Sequence, residues 1–576
     1  MAAIEYRDGA PPLGQFGNPL EPWPFNAGAS PLELSAHRGK AYLLVAEPLD
    51  VDRGIELGIF GPLGEMPFPE GGNWGWRGLR STLYVAATHG GSTRPDDVPA
   101  STYVPSKLSP PDNFGTQLFT GVNPQSRGSL GEGVLTVEDP DGELDYLFNY
   151  IWDSAPLTLK RGEPGTPFAG WDVVARYTTA NIRHDLDTKN FTLRDLGWQL
   201  SGPLHGEYYG GTGGLDGDAS LKGRWKPYAV GYCGNVEPVM LNASRQIVQV
   251  SCSPIVAVLA LRHGGVPLDF HADYPTYEAL VAADDAGEIP SGKYATCLAS
   301  ALALANVELL YGLRLDLIGD SETAYGHGAP LTRASIARRV ATTRGASRLD
   351  DTAQIDMNSF ADVEARHSAP VGWFWSDLIS KADALTEIMS GILGWWRIRP
   401  SGELSIGFFD DPARGSALDL TFMDEGMGML RVTDETVPRA GTLVGWRRNY
   451  GPQSRDQLAG VVDTETASIL AAPARYAQAL APHVAPLYPT APVVTIEGNY
   501  WFEVDAEVEA ARQQSLFSVM RYRWQWDMEL DPFVDIVGTV LTLKDVNRVG
   551  LGAAKPLLIA EFNAPGDGKV ILGGVG

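Results

Sequence analysis

Cysteine is nearly absent: the 576 residues hold three, Cys233, Cys252 and Cys297. An odd number with no metal-ligand or redox spacing argues against a disulfide framework. Cys233 and Cys252 lie in apolar, strand-like runs, where a free thiol behaves as a small buried hydrophobe. No apolar run approaches the roughly 18 residues that cross a bilayer as a helix. The opening stretch MAAIEYRDGAPPLG has neither a basic start nor an apolar centre. Folding in a reducing cytoplasm, without export through a signal peptide, is the expectation. Catalytic signatures are missing as well: there is no Gly-x-x-x-x-Gly-Lys-Ser/Thr loop, no Gly-x-Ser-x-Gly elbow and no His-Glu-x-x-His. Basic residues are scarce, with 45 Lys and Arg against 70 Asp and Glu, a net charge of −25. Such a surface repels a phosphate backbone, which excludes sequence-independent nucleic-acid binding.

What is present is the material of short strands and turns. Gly 65, Pro 41, Trp 15 and Tyr 21 stand beside an ordinary 44% hydrophobic and 20% charged content, a folded composition rather than a disordered one. The length implies three or four cores. Residues 1–35 are Pro-, Gly- and aromatic-rich and read as an extended arm. Strand signals follow at 40–49, 80–89, 133–138, 156–160, 172–177 and 190–194, spacings that suit an antiparallel barrel. The loops between them at 61–76 and 90–128 are long enough to be functional or to pack on another chain. The Gly-rich stretch 209–224 marks a domain edge. Helices are predicted at 274–283, 332–343, 375–392 with Ser376 as cap, and 466–482. A Gly402 turn joins the hairpin strands 395–399 and 403–408.

The C-terminal segment is the most regular. Asp505 is placed to cap a helix whose apolar face holds Val508, Ala511, Leu516, Val519 and Met520. From Arg521 to Leu530, Arg, Gln, Asp and Glu alternate with Tyr522, Trp524, Trp526, Met528 and Leu530. That predicts a strand with one wet and one aromatic, buried face. Strands at 539–544, 555–562 and 569–572 complete a helix laid on a small barrel or sandwich.

Few residues suggest chemistry. Asp139, Asp141, Glu143 and Asp145 imitate part of a calcium loop, but the closing Glu of the full pattern is absent; an acidic turn with Asp139 capping its own backbone is the competing reading. His271 with Asp273, and His184 with Asp185 and Asp187, could ligate a metal or be solvated loop residues. Trp395-Trp396 and Trp74-Gly75-Trp76 could stack on sugars, although such residues are more often core or interface anchors. With so many carboxylates, some glycosidase-like pair will always be present. No catalytic, cofactor-binding or metal residue is assigned.

The order and wording of several segments resemble the central tail hub (baseplate hub or tail tip) proteins of long-tailed bacteriophages and gene-transfer-agent-like particles. The phrases are LTVEDPDGELD (135–145), FTLRD (191–195), YYGGTGG (208–214), LKGRWKP (221–227), GNVEPV (234–239), GGVPL (264–268), GKYATCL (292–298), the Gly394-Trp395-Trp396 hairpin and the terminal helix with its strands. The likeness covers roughly 36–565 and consists of structural phrases, without an active-site signature. It implies a mainly β chain with α+β insertions: two tail-tube-like antiparallel β-barrel hub domains plus two smaller α/β domains. The boundaries expected are an arm at 1–35, a first barrel at 36–222, a strand-rich middle domain at 223–310, an α+β middle domain at 311–415, and a second barrel with packed helix at 416–576. It implies a non-enzymatic virion protein, synthesised in the host cytoplasm, that forms a homotrimer beneath a hexameric tail tube. Its partners would be distal tail or upper hub ring proteins, the tape measure protein, and tail fibres or receptor-binding proteins. DNA would pass an acidic lumen in which three chains carry about −75. A carbohydrate-binding receptor module of the tail tip and, more distantly, a glycan-degrading enzyme are the alternatives.

Overall fold

The computed structural model describes residues 41–50, 80–109, 114–119, 121, 132–321, 329–414, 418–421, 430–531, 533–544, 555–565 and 569–576. The arm at 1–35 and the Trp74-Gly75-Trp76 loop lie outside them. The described chain is mainly β, with six α-helices set among its sheets: α1 (Tyr277–Asp285), α2 (Arg333–Thr343), α3 (Met357–Arg366), α4 (Lys381–Ser390), α5 (Thr464–Ala471) and α6 (Glu503–Phe517).

The first sheet has six strands in the order Leu83–Ala87, Ala41–Ala46, Pro156–Gly162, Asp172–His184, Thr188–Arg194 and Glu132–Glu138. Every neighbouring pair is antiparallel. Alternation sets the buried face: Lys189, Phe191 and Leu193 point inward along one strand, and Leu44, Val85, Leu135 and Leu157 meet them in the core. Its two outer strands are tied through one segment. Leu108 N donates to Ala87 O at 3.1 Å on one side, and Glu138 N donates to Lys107 O at 2.8 Å on the other. Backbone groups at both edges are thereby satisfied.

The last sheet runs Leu418–Thr421, Val540–Lys544, Lys555–Ala564, Val570–Val575, Arg521–Met528 and Arg431–Thr436. Its seventh strand comes from the other end of the chain: Phe114–Gln117 pairs antiparallel with Lys555–Ala564, Glu561 opposite Gln117 and Ala564 opposite Phe114. Leu118 and Phe119 then enter the C-terminal core beside Trp526 and Phe562. In return Phe533 joins the first core, its ring 4.9 Å from that of Phe114. Each end of the chain completes the other.

Between them lie two five-stranded sheets. One is ordered Val266–Pro267, Ala257–His263, Leu313–Gly319, Tyr228–Val236 and Gly372–Trp375. Its middle strand lies beyond residue 310, so this sheet spans the boundary expected there. The other runs Val239–Asn242, Ile247–Gln249, Leu302–Ala305, Lys293–Cys297 and Asp269–Asp273. A three-stranded sheet has Gly441–Trp446 between Arg475–Leu480 and Val493–Tyr500, and the hairpin pairs Gly394–Ile398 with Leu404–Phe408.

Four local expectations are corrected. The helix predicted from Trp375 begins at Lys381, capped by Ser380, whose Oγ accepts from Asp383 N at 3.0 Å. The aromatic run Gly372–Trp375 is instead an edge strand on Tyr228–Gly231, as its β-favouring residues allow. The helix predicted over 466–482 stops at Ala471, before Pro473, and Arg475–Leu480 is a strand. Asp505 does not cap α6, which starts at Glu503 after Phe502. The apolar face expected there is only partly the buried one: Leu516 is buried and Val508 and Met520 are half-buried, but Ala511 and Val519 are exposed, while Asp505, Glu509, Gln513 and Gln514 are buried.

A fifth correction concerns the strand after α6. Trp526 and Met528 are buried as expected, but so are Arg521 and Arg523, on the face expected to be wet. Arg523 donates to Phe119 O at 2.9 Å and Gly121 O at 2.8 Å, and pairs with Glu561 at 2.7 Å. Tyr522 and Trp524 are half-buried beneath the Lys555 ammonium, 5.0 and 5.4 Å from their ring centres. The Arg523 guanidinium satisfies the carbonyls of Phe119 and Gly121, and Arg521 donates to Leu516 O at 2.9 Å.

Two outcomes follow. Phe119→Ala should leave a cavity in the C-terminal core and cost about 3 to 5 kcal/mol, read as a lower thermal midpoint and faster proteolysis of the C-terminal sheet. Burial lifts the Asp505 carboxyl to about 6. A raised carboxyl disfavours the folded state increasingly as pH rises from the unfolded value near 4 through 6. Asp505→Asn should therefore raise the thermal midpoint at pH 8 and have little effect at pH 4; an equal gain at both would refute this.

Candidate interaction sites

The acidic run at 139–145 folds around two lysines. Asp139 is fully buried and accepts from Leu144 N at 3.2 and 3.3 Å. Its carboxylate meets Lys107 Nζ at 3.0 Å and Lys189 Nζ at 3.3 Å. Lys107 also reaches Asp141 and Glu143, the latter at 3.0 Å, and Lys189 reaches Asp145 at 2.9 Å. Burial alone would lower the Lys189 ammonium, but its bonds to Asp145 and Asp139 hold it above its ordinary value. Carboxylates spaced two apart here clasp protein cations and lock the turn to the first sheet.

The histidine pairs do not converge. His184 stacks on Phe148 with ring centres 3.8 Å apart, and Asp185 turns to Arg183 at 3.3 Å. His271 is exposed, while Asp273 accepts from Thr296 Oγ1 at 2.7 Å and Leu298 N at 3.0 Å. Among the described residues no group of three or more His, Cys, Asp or Glu is arranged to hold a metal ion. The three cysteines are free thiols, and burial pushes Cys233 up to about 12, far from thiolate chemistry.

Trp395 and Trp396 are both buried and belong to different cores. Trp396 packs in the central core and donates to Thr386 Oγ1 at 3.0 Å. Trp395, on the opposite face of the same strand, packs in the C-terminal core. Neither presents a platform to a sugar. The hairpin is fastened further by Arg397 and Arg399, which reach Asp535 at 2.5 and 2.6 Å. Burial would raise the Asp535 carboxyl, yet these guanidiniums hold it below its ordinary range.

One cluster is absent from the motif reading altogether. A cleft of about 260 Å³ is lined by Arg262, Arg447, Arg448 and Arg475 with Asp316. Arg262 grips Asp316 through two bonds of 2.9 and 2.5 Å, and Asn235 N donates to the same carboxylate at 2.8 Å. These residues come from segments more than 200 positions apart. Only the adjacent Arg447-Arg448 pair was visible in the sequence.

Neither a protein-family model nor a curated protein matches the chain. Solved structures do. The 43 kDa tail protein of prophage MuSo2 from Shewanella oneidensis is 8% identical, covering 81% of this chain and 97% of that one, with a TM-score of 0.29. The tail protein from Neisseria meningitidis MC58 is also 8% identical, covering 80% of this chain and 90% of that one, at a TM-score of 0.31. A chain from the virion of a native gene transfer agent particle is 12% identical, covering 62% and 84%, at 0.34. These structural neighbours are phage tail and virion proteins.

Asp139→Ala should leave Lys189 with Asp145 alone and the buried Leu144 N without its acceptor, and cost about 1 to 3 kcal/mol. Chemical denaturation of the variant checks it; a loss below about 0.5 kcal/mol would mean that Asp145 by itself satisfies the ammonium.

Proposed function

We propose that the chain is a structural component of a phage tail or gene-transfer-agent-like particle, and that three copies build its central hub. One observation carries this reading: sheets from opposite ends of one chain are joined side by side through Phe114–Gln117. In the proposal each is a tail-tube-like barrel, at 36–222 and 416–576, and the region between them, expected as domains of 223–310 and 311–415, shares a sheet across residue 310. A chain that offers two tube-like units needs only threefold symmetry to present six such units to a hexameric tube. Interlaced cores suit this task, because the two units must keep a fixed mutual orientation for the ring to close.

The hub would anchor fibres or receptor-binding proteins and gate passage of the tape measure protein and DNA. Three chains with about −75 between them would give a bore that does not hold DNA. A non-enzymatic role fits the same residues. The acidic turn of 139–145 is engaged by lysines, and the paired tryptophans are core anchors.

Electron microscopy of purified particles is the test. The expected result is threefold density for this chain at the tail tip, coaxial with the tube; its absence from the tip, or a single off-axis copy, would overturn the proposal.

A further inference from the structure

Within a strongly acidic chain, one cleft is built of cations. Four arginines and one aspartate line it, and that aspartate is already held by Arg262, which keeps its carboxyl below the ordinary range although burial alone would raise it. The other three guanidiniums are stacked on aromatic rings: Arg447 over Trp501 at 4.4 Å, Arg448 over Tyr450 at 5.1 Å and Arg475 over Trp446 at 5.0 Å. Stacking fixes a guanidinium plane before any ligand arrives, so less rotamer freedom is lost on binding. The side chains of Arg447 and Arg448 remain 42% and 40% exposed. Carboxylates engage them only at longer range, the buried Asp316 with Arg447 at 3.8 Å and Glu497 with Arg448 at 3.9 Å.

The backbone here is also unusual. Asn235 and Arg447 both sit at a φ of 49°, in the left-handed region that residues with side chains rarely occupy. Between them a backbone bridge joins Gly234 to Asn449, and Asn235 Nδ2 donates to Asn449 Oδ1 at 2.9 Å and Gly451 O at 2.8 Å. That bridge turns two consecutive arginines toward one opening. The facing wall, from α5, is apolar, with Ile469 38% exposed.

We propose that this cleft docks an acidic peptide segment of a partner protein, its carboxylates on Arg448 and Arg475 and an adjacent aliphatic side chain on Ile469. A guanidinium fork matches a carboxylate in geometry and charge. The apolar wall favours a peptide over a bare anion, which would leave Ile469 uncovered. The inference goes beyond the hub reading and does not depend on it.

The test uses the full chain and a fluorescein-labelled peptide of repeated Glu-Glu-Leu, followed by fluorescence anisotropy. Saturable, salt-sensitive binding is expected, weakened by about tenfold or more in Arg448→Glu/Arg475→Glu and unchanged in Arg183→Glu, an exposed arginine elsewhere. Arg475→Gln serves should the double reversal unfold, and should weaken binding in the same direction. Equal binding of a Gln-Gln-Leu peptide, full displacement by inorganic phosphate, or affinity untouched by either cleft variant would each overturn the proposal.

Discussion

On its inner side the last turn of α4 and the two residues after it are buried, at Ile388, Met389, Gly391 and Ile392, so carbonyl groups there need donors from the protein. Three side chains from distant segments answer this. Arg333, the first residue of α2, donates to Ile388 O and to Gly498 O while sandwiched between Trp373 and Tyr500, 5.3 and 5.1 Å from their ring centres. From α6, Arg512 donates to Ile392 O at 2.8 Å and Gln513 to Gly391 O at 3.0 Å. Cations at a helix C-terminus also complement its dipole. This need explains why α6 buries polar residues: Glu509 holds Arg512 at 2.7 and 2.9 Å and Gln513 at 2.7 Å, aiming both at α4. His367 lies beside them, kept neutral because burial and then Arg512, Arg333 and Arg366 push it well below its ordinary value.

The same knot joins the rest. Arg512 also donates to Phe409 O at the end of the hairpin, at 2.8 Å, and Gln514 bonds Arg439 O and Thr442 beside the three-stranded sheet. Hairpin strand Gly394–Ile398 then carries the link outward, with Trp396 in the central core and Trp395 in the C-terminal one. Phe114–Phe119 passes it on to the first sheet. Buried polar contacts of this kind add little net stability but tolerate few alternative arrangements. A molecule assembled this way keeps its outer sheets in fixed relation.

Much of the architecture was legible before any coordinates. The strands at 133–138, 156–160 and 190–194 were found because alternation with a period of two survives wherever one face is dry. The helix expected over 332–343 is α2, which Thr332 caps together with Ser335. Harder cases were those where tertiary contacts outweighed pattern. Trp375 looked like the first residue of a helix, but Gly372–Trp375 pairs with Tyr228–Gly231 as a strand. Ala511 and Val519 were expected on the buried face of α6, but the demand for carbonyl caps buries Glu509 and Gln513 instead.

The sequence by itself determined the mainly β class, the positions of most strands, the acidic surface and the absence of recognisable catalytic motifs, because these follow from local periodicity, composition and spacing. Only the tertiary structure decided that Asp139 serves two lysines, that Arg521 and Arg523 are buried, that the two ends of the chain share a sheet, and that Arg262, Arg447, Arg448 and Arg475 face one cleft. The reason is physical: the partner that settles the fate of a charge or an edge strand lies hundreds of residues away, and no local pattern encodes that distance.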